Sequence, residues 1–106
     1  MKLKFKDDDK IESSSYGEET PGIDEIYLKK PNSPERLLFT NNLALEGCWI
    51  SNKTLYGIFI IYKNILSVGD EIIVKSYKIR ARDGKFHTDQ SPDCIWNLSI
   101  IEDNNV

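Results

Sequence analysis

The dipeptide Asp83-Gly84 constrains the fold of this chain more than any other feature of its sequence. A two-residue hairpin loop needs positive φ at both central positions, which glycine adopts freely and aspartate tolerates. The segments on either side, EIIVKSYKIRAR and KFHT, are dense in β-branched and aromatic residues, as strands are. The sequence therefore predicts an antiparallel hairpin that places Arg82 opposite Lys85.

The same composition recurs in CWIS, GIFIIYK and CIWNLSII, which are separated by the turn signals NKT, VGD and SPD. The segment IDEIYLKK alternates like a strand and is stopped by the two prolines of PNSP. This pattern predicts a mainly β protein, a single small antiparallel β-sandwich or barrel of meander type that spans 1–106 as one domain. Five consecutive apolar residues at Ile58–Tyr62 indicate a central strand covered on both faces.

Strand alternation divides the long segment before Asp83-Gly84 into two faces. We expect one face in the core and the other in solvent. The core face comprises Ile73, Lys75, Tyr77, Ile79 and Ala81, and the solvent face Val74, Ser76, Lys78, Arg80 and Arg82. We expect the strands to close over Ile60, Ile73, Ile79 and Trp96.

Residues 34–46 support two interpretations. Ser33 before Pro34, with Gly47 at the far end, predicts one short helix. Thr40, Asn41 and Asn42 are poor helix formers, and an Asn-Asn pair between two apolar runs predicts a hairpin instead.

The turn and strand VGDEIIV, residues 68–74, is similar to segments of small closed β-barrels such as the oligonucleotide-binding fold and the translation-factor barrel. The resemblance implies a barrel-like packing of this segment. It covers a small part of the chain and assigns no functional residue.

Composition indicates a soluble globular protein, with 40% hydrophobic and 29% charged residues among 106. We expect a flexible acidic loop at about 7–22.

The N-terminus lacks the apolar run of a secretory signal, and no apolar stretch is long enough to span a bilayer. We therefore expect a cytoplasmic protein that does not engage membranes. We expect Cys48 and Cys94 to be reduced and buried. The sequence does not indicate an oligomeric state.

Neither metal nor catalytic chemistry is predicted. His87, the single histidine, begins a pattern that resembles a zinc deaminase motif, but Asp89 stands where that motif needs Glu and no second cysteine follows Cys94. Both cysteines adjoin tryptophan-bearing apolar segments, where thiols usually pack rather than react. We therefore expect a non-enzymatic protein without a cofactor.

Charge is unevenly distributed along the chain. Residues 1–46 carry 7 Lys or Arg and 10 Asp or Glu, whereas residues 47–93 carry 7 and 5. The acidic half predicts a protein-binding inhibitor, such as an immunity protein (an antitoxin) that neutralises a nuclease toxin or a phage-encoded antagonist of a host protein, because carboxylates can occupy a basic cleft. The predicted partner-binding residues are acidic: Asp7, Asp8, Asp9, Glu12, Glu18, Glu19, Asp24 and Glu25.

The alternative function is binding of single-stranded nucleic acid. A short basic face would follow the backbone of such a ligand, with nearby aromatic residues available for base stacking. Its residues are Lys78, Arg80, Arg82 and Lys85.

Overall fold

The computed structural model describes residues 2–8, 22–44, 52–83, 85–88 and 91–104. Six strands and one helix lie in this part of the chain. In chain order they are β1 (Leu3–Phe5), β2 (Gly22–Lys29), β3 (Arg36–Ala44), α1 (Asn52–Tyr62), β4 (Glu71–Arg82), β5 (Lys85–Thr88) and β6 (Cys94–Glu102).

The strands form one antiparallel sheet in the order β1-β6-β4-β2-β3, and β5 pairs with the end of β4. β2 and β3 form a hairpin around Pro31–Pro34, where Asn32 adopts a φ of 59° and the Ser33 amide donates to the Lys30 carbonyl. Among the described residues the sheet is open, with β1 and β3 at its edges. Its strands do not close into a barrel, so the resemblance of residues 68–74 to barrel segments does not extend to the architecture.

One face of the sheet is covered by α1. Apolar residues of the helix occur at i, i+3, i+4 and i+7, the spacing that places side chains on one side of a helix. They are Leu55, Ile58, Phe59 and Tyr62. The first two are buried against the apolar side chains of β1, β2, β4 and β6. Phe59 stacks on Phe5 at a ring-centroid distance of 4.4 Å, and the Tyr62 hydroxyl donates to the Leu38 carbonyl over 2.6 Å.

The strongest sequence signals are confirmed. β4 and β5 form the predicted hairpin, with Arg82 paired to Lys85 and Asp83 at a φ of 51°. The strands predicted at IDEIYLKK and CIWNLSII correspond to β2 and β6. The strand predicted at CWIS, residues 48–51, lies outside the described residues. The fold is mainly antiparallel β, as expected from the sequence.

The central strand predicted at GIFIIYK is wrong, because this segment lies in α1. Ile60, which we expected in the core, is 73% exposed. A run of five consecutive apolar residues fits both the two-residue period of a strand and the 3.6-residue period of a helix. The pattern alone therefore could not distinguish a buried strand from a helix with an apolar outer side.

Both interpretations of residues 34–46 are also wrong. Arg36–Ala44 is one continuous strand, in which Thr40, Asn41 and Asn42 pair with residues of β2. The turn lies earlier, at the two prolines, and β2 offers β3 a full-length pairing edge. This pairing outweighs the low strand propensity of the two asparagines.

The predicted core face of β4 is wrong over its first half. Ile72 and Val74 belong to the core that α1 covers, and Ser76 on the same face is buried. Ile73 is buried as well, but on the opposite side of the sheet, outside that core. The sequence places apolar residues on both faces of β4, so the face that forms the core depends on where α1 packs.

Candidate protein-docking surface

The side of α1 that points away from the sheet exposes three large apolar side chains. Tyr56, Ile60 and Ile61 are 54%, 73% and 71% exposed. Soluble proteins expose single apolar residues commonly, but contiguous groups of large ones mark interaction sites. We call this surface the outer face of α1. It comprises five residues of the helix and the lysine that follows its last residue: Lys53, Tyr56, Gly57, Ile60, Ile61 and Lys63.

A groove of about 320 Å³ lies between the outer face of α1 and the N-terminal strand. Its walls are apolar, and a lysine from each side lies at the rim. The lining residues are Lys2, Leu3, Tyr56, Phe59, Ile60 and Lys63. A groove of this size can accept a large side chain of a partner.

A polar network lies on the opposite face of the sheet, on β2 and β4. The Glu25 carboxylate lies near the hydroxyls of Tyr27 and Tyr77 and interacts with both. Burial and this carboxylate raise the pKa of Tyr77 to about 12 and also raise the pKa of Tyr27. The Lys75 ammonium lies 4.6 Å from the Tyr27 ring centroid and 2.8 Å from Glu35 Oε2. Two carboxylates in this network make the face unfavourable for a nucleic-acid backbone.

The predicted acidic binding residues that the structure describes do not form one surface. Asp7 and Asp8 follow β1, and β6 and β4 lie between that strand and β2. Asp24 and Glu25 are consecutive on β2 and therefore point to opposite faces. Asp9, Glu12, Glu18 and Glu19, with most of the predicted loop, lie outside the described residues.

The Asp24 carboxylate is occupied within the fold. Its Oδ1 atom accepts a hydrogen bond from the Ser76 hydroxyl over 2.6 Å. Burial raises the pKa of Asp24, and the hydrogen bond from Ser76 opposes this shift. This carboxylate is therefore part of the sheet's internal packing.

The predicted basic face lies on the hairpin of β4 and β5. Register pairs Arg82 with Lys85 and Arg80 with His87. Lys78 lies opposite Gly22 of β2, and its amide donates to Asp93 Oδ2 over 2.7 Å. The register thus gathers the four predicted basic positions toward one end of β4.

The prediction of a reduced, buried thiol is wrong for Cys94, which is disulfide-bonded and half-buried at the start of β6. The other cysteine of the chain, Cys48, lies outside the described residues. Within the part of the chain that the structure describes, no group of three or more His, Cys, Asp or Glu side chains is arranged to hold a metal ion.

Sequence reasoning missed the outer face of α1. The signal was present, because Leu55, Ile58, Phe59 and Tyr62 have helical spacing. Ile60 and Ile61 then fall on the opposite side and are surplus to the core. Apolar residues beyond those that a helix needs for its packed side are the feature that could have indicated a docking surface.

No protein-family model, curated protein or solved structure matches this chain. In the part of the chain that the structure describes, the helix is not long and apolar enough to cross a bilayer.

Proposed function

We propose that this chain is a non-enzymatic protein-binding module that docks its partner through the outer face of α1. The observation that supports the proposal is the exposure of three large apolar side chains on α1, of which Tyr56 and Ile60 are neighbours four residues apart and Ile61 lies further round the helix. Covering these side chains removes apolar surface from water, which is the main favourable contribution to most protein association. Aromatic and aliphatic residues at the centre of such patches commonly supply most of the binding energy.

Within this class we propose an inhibitor, such as an immunity protein or a phage-encoded antagonist. The acidic N-terminal half of the sequence supports this version, because carboxylates accelerate association with a basic cleft. The proposal of an inhibitor of a nuclease toxin depends on acidic residues between Asp9 and Glu19, which lie outside the described residues. The proposal of docking through α1 does not depend on them. Coexpression with the product of a neighbouring toxin gene tests it, since an inhibitor should restore growth.

The cytoplasmic location expected from the sequence stays a prediction. The disulfide at Cys94 weighs against it, because structural disulfides persist mainly in oxidising compartments.

Copurification of the tagged chain from its source cells tests the docking proposal. We expect a partner that is retained by the wild type and by Ile95→Asp but lost with Ile60→Asp. Ile95 is a matched control because it is 56% exposed and lies on β6, away from α1. Equal retention by both variants would count against docking through α1.

Binding of single-stranded nucleic acid is the second candidate, favoured by the register that brings Lys85 opposite Arg82. An oligonucleotide should then bind more weakly as salt rises, and Arg80→Glu should weaken it further. Absence of binding at low salt would remove this candidate.

A further inference from the structure

The outer face of α1 carries a glycine that packing within the chain does not require. A Cβ added at Gly57 would meet no described atom of the rest of the chain within 4 Å. Glycine inside a helix is less favourable than alanine, because it loses more backbone freedom on folding. The fold therefore gains nothing from glycine at this position.

Gly57 lies beside two of the exposed apolar side chains. Ile60 and Ile61 follow it by three and four residues, so they are its neighbours on the helix surface, and Tyr56 in turn neighbours Ile60, which follows it by four. A missing side chain among large ones forms a notch. Such a notch allows the backbone or a side chain of a partner to approach the helix axis closely.

The charges around the notch are positive. Residues 52–64 include Lys53 and Lys63 and no acidic residue. Both lysines are exposed, and Lys2 contributes a third ammonium group at the rim of the groove. Glu102, which pairs with Leu3, does not line the groove. Carboxylates on a partner would complement Lys53 and Lys63.

A second copy of this chain is a poor occupant. Antiparallel packing of two α1 helices about a two-fold axis would bring Lys53 of one copy toward Lys63 of the other, and parallel packing would bring each lysine toward itself. Like charges in a contact disfavour it.

We propose that the outer face of α1 binds an acidic, apolar segment of a partner protein, with its closest approach at Gly57. A large apolar side chain of that segment occupies the groove, and Asp or Glu residues lie near Lys53 and Lys63. This inference rests on the proposed function, since it specifies the partner of the same surface.

Selection from a random linear peptide library, displayed on phage and presented to the full chain, tests the proposal. We expect the selected peptides to combine large apolar residues with Asp or Glu. Their affinity, measured by fluorescence anisotropy, should fall about tenfold with Lys63→Glu and with Lys53→Glu. Lys85→Glu is the control and should leave the affinity unchanged, because Lys85 lies on β5.

Gly57→Ala separates binding from folding. We expect this variant to unfold at a higher urea concentration than the wild type, because alanine favours the helix. It should nevertheless bind the selected peptides several-fold more weakly, because its methyl group fills the notch. A loss of affinity in a more stable protein cannot come from misfolding.

The outcomes distinguish this inference from the proposed function. If Ile60→Asp abolishes binding while the lysine and glycine variants bind like the wild type, docking through α1 stands and the acidic segment is overturned. If Ile60→Asp also binds like the wild type, both are overturned. A library that yields no peptides, or wild-type binding to phosphatidylserine vesicles that Ile60→Asp prevents, overturns the acidic segment as occupant.

Discussion

Lys30 Nζ lies 2.6 Å from Asp70 Oδ2, although 40 residues separate them in the sequence. The Asp70 side chain is 3% exposed and the Lys30 side chain 39%. The same carboxylate oxygen accepts the Ser67 amide over 2.9 Å. Asp70 therefore joins the end of β2 to the turn before β4, and its backbone carbonyl accepts the Ile100 amide of β6.

We expect Asp70→Ala to lower the free energy of unfolding by about 2 kcal/mol, because it leaves the Ser67 amide without its acceptor and removes a charged hydrogen bond. Lys30→Met should cost less, since this lysine is partly solvated. Urea unfolding measures both. Glu102→Ala, an exposed acidic control, should change the free energy by no more than about 0.5 kcal/mol. Equal effects at all three positions would refute this role of Asp70.

Asp24→Asn should raise stability at neutral pH. Burial raises the pKa of Asp24, so the folded state binds a proton more tightly than the unfolded state does. Ionisation of Asp24 as pH rises above about 4 therefore lowers the stability of the fold. Asparagine does not ionise, and its side-chain oxygen still accepts a hydrogen bond from the Ser76 hydroxyl. Ser76→Ala should destabilise the protein instead. At neutral pH, the urea concentration at the midpoint of unfolding should be higher for Asp24→Asn and lower for Ser76→Ala than for the wild type. A lower midpoint for Asp24→Asn would contradict the account.

The Tyr77 hydroxyl should titrate with a pKa well above that of free tyrosine. Its pKa of about 12 in the folded state, against about 10 for an unfolded chain, means that stability is lost as pH rises from 10 to 12. Absorbance of tyrosinate follows the titration. Glu25→Gln should lower the pKa of Tyr77 but leave it above 10, because burial remains. A pKa near 10 in the wild type would exclude the described network.

The fold was predictable where local signals agree. Asp83-Gly84 predicts the hairpin of β4 and β5, and the prolines after Lys29 end β2. The position of α1 was not predictable by alternation, because Ile60 and Ile61 mask the helical spacing of Leu55 and Ile58. The core face of β4 could not be assigned without knowing which side α1 covers.

The candidate site was less predictable than the fold. Asp24 is acidic in the sequence, but its carboxylate is bound by Ser76, a residue 52 positions away. Tertiary contacts of this kind decide which charged groups remain available to a partner. The docking surface is recognisable only once α1 is placed, since its exposed apolar residues resemble core residues in the sequence.

Because Cys94 is disulfide-bonded and the chain has two cysteines, we expect no reactive thiol in the chain when it is denatured without a reducing agent. Cys94→Ser should lower the free energy of unfolding by about 2 kcal/mol or more, because the cross-link restricts the unfolded chain. Thiol titration in denaturant tests the first statement and urea unfolding the second. Two titratable thiols per chain in freshly purified protein would contradict the first.

Site-specific photo-crosslinking tests the central claim most directly. A benzophenone amino acid replaces Ile60 in one protein and Ile95 in another, and both are irradiated in the source cells. Docking through the outer face of α1 predicts a discrete protein adduct from position 60 and none of that mass from position 95. The same adduct from both positions, or none from position 60, would contradict it.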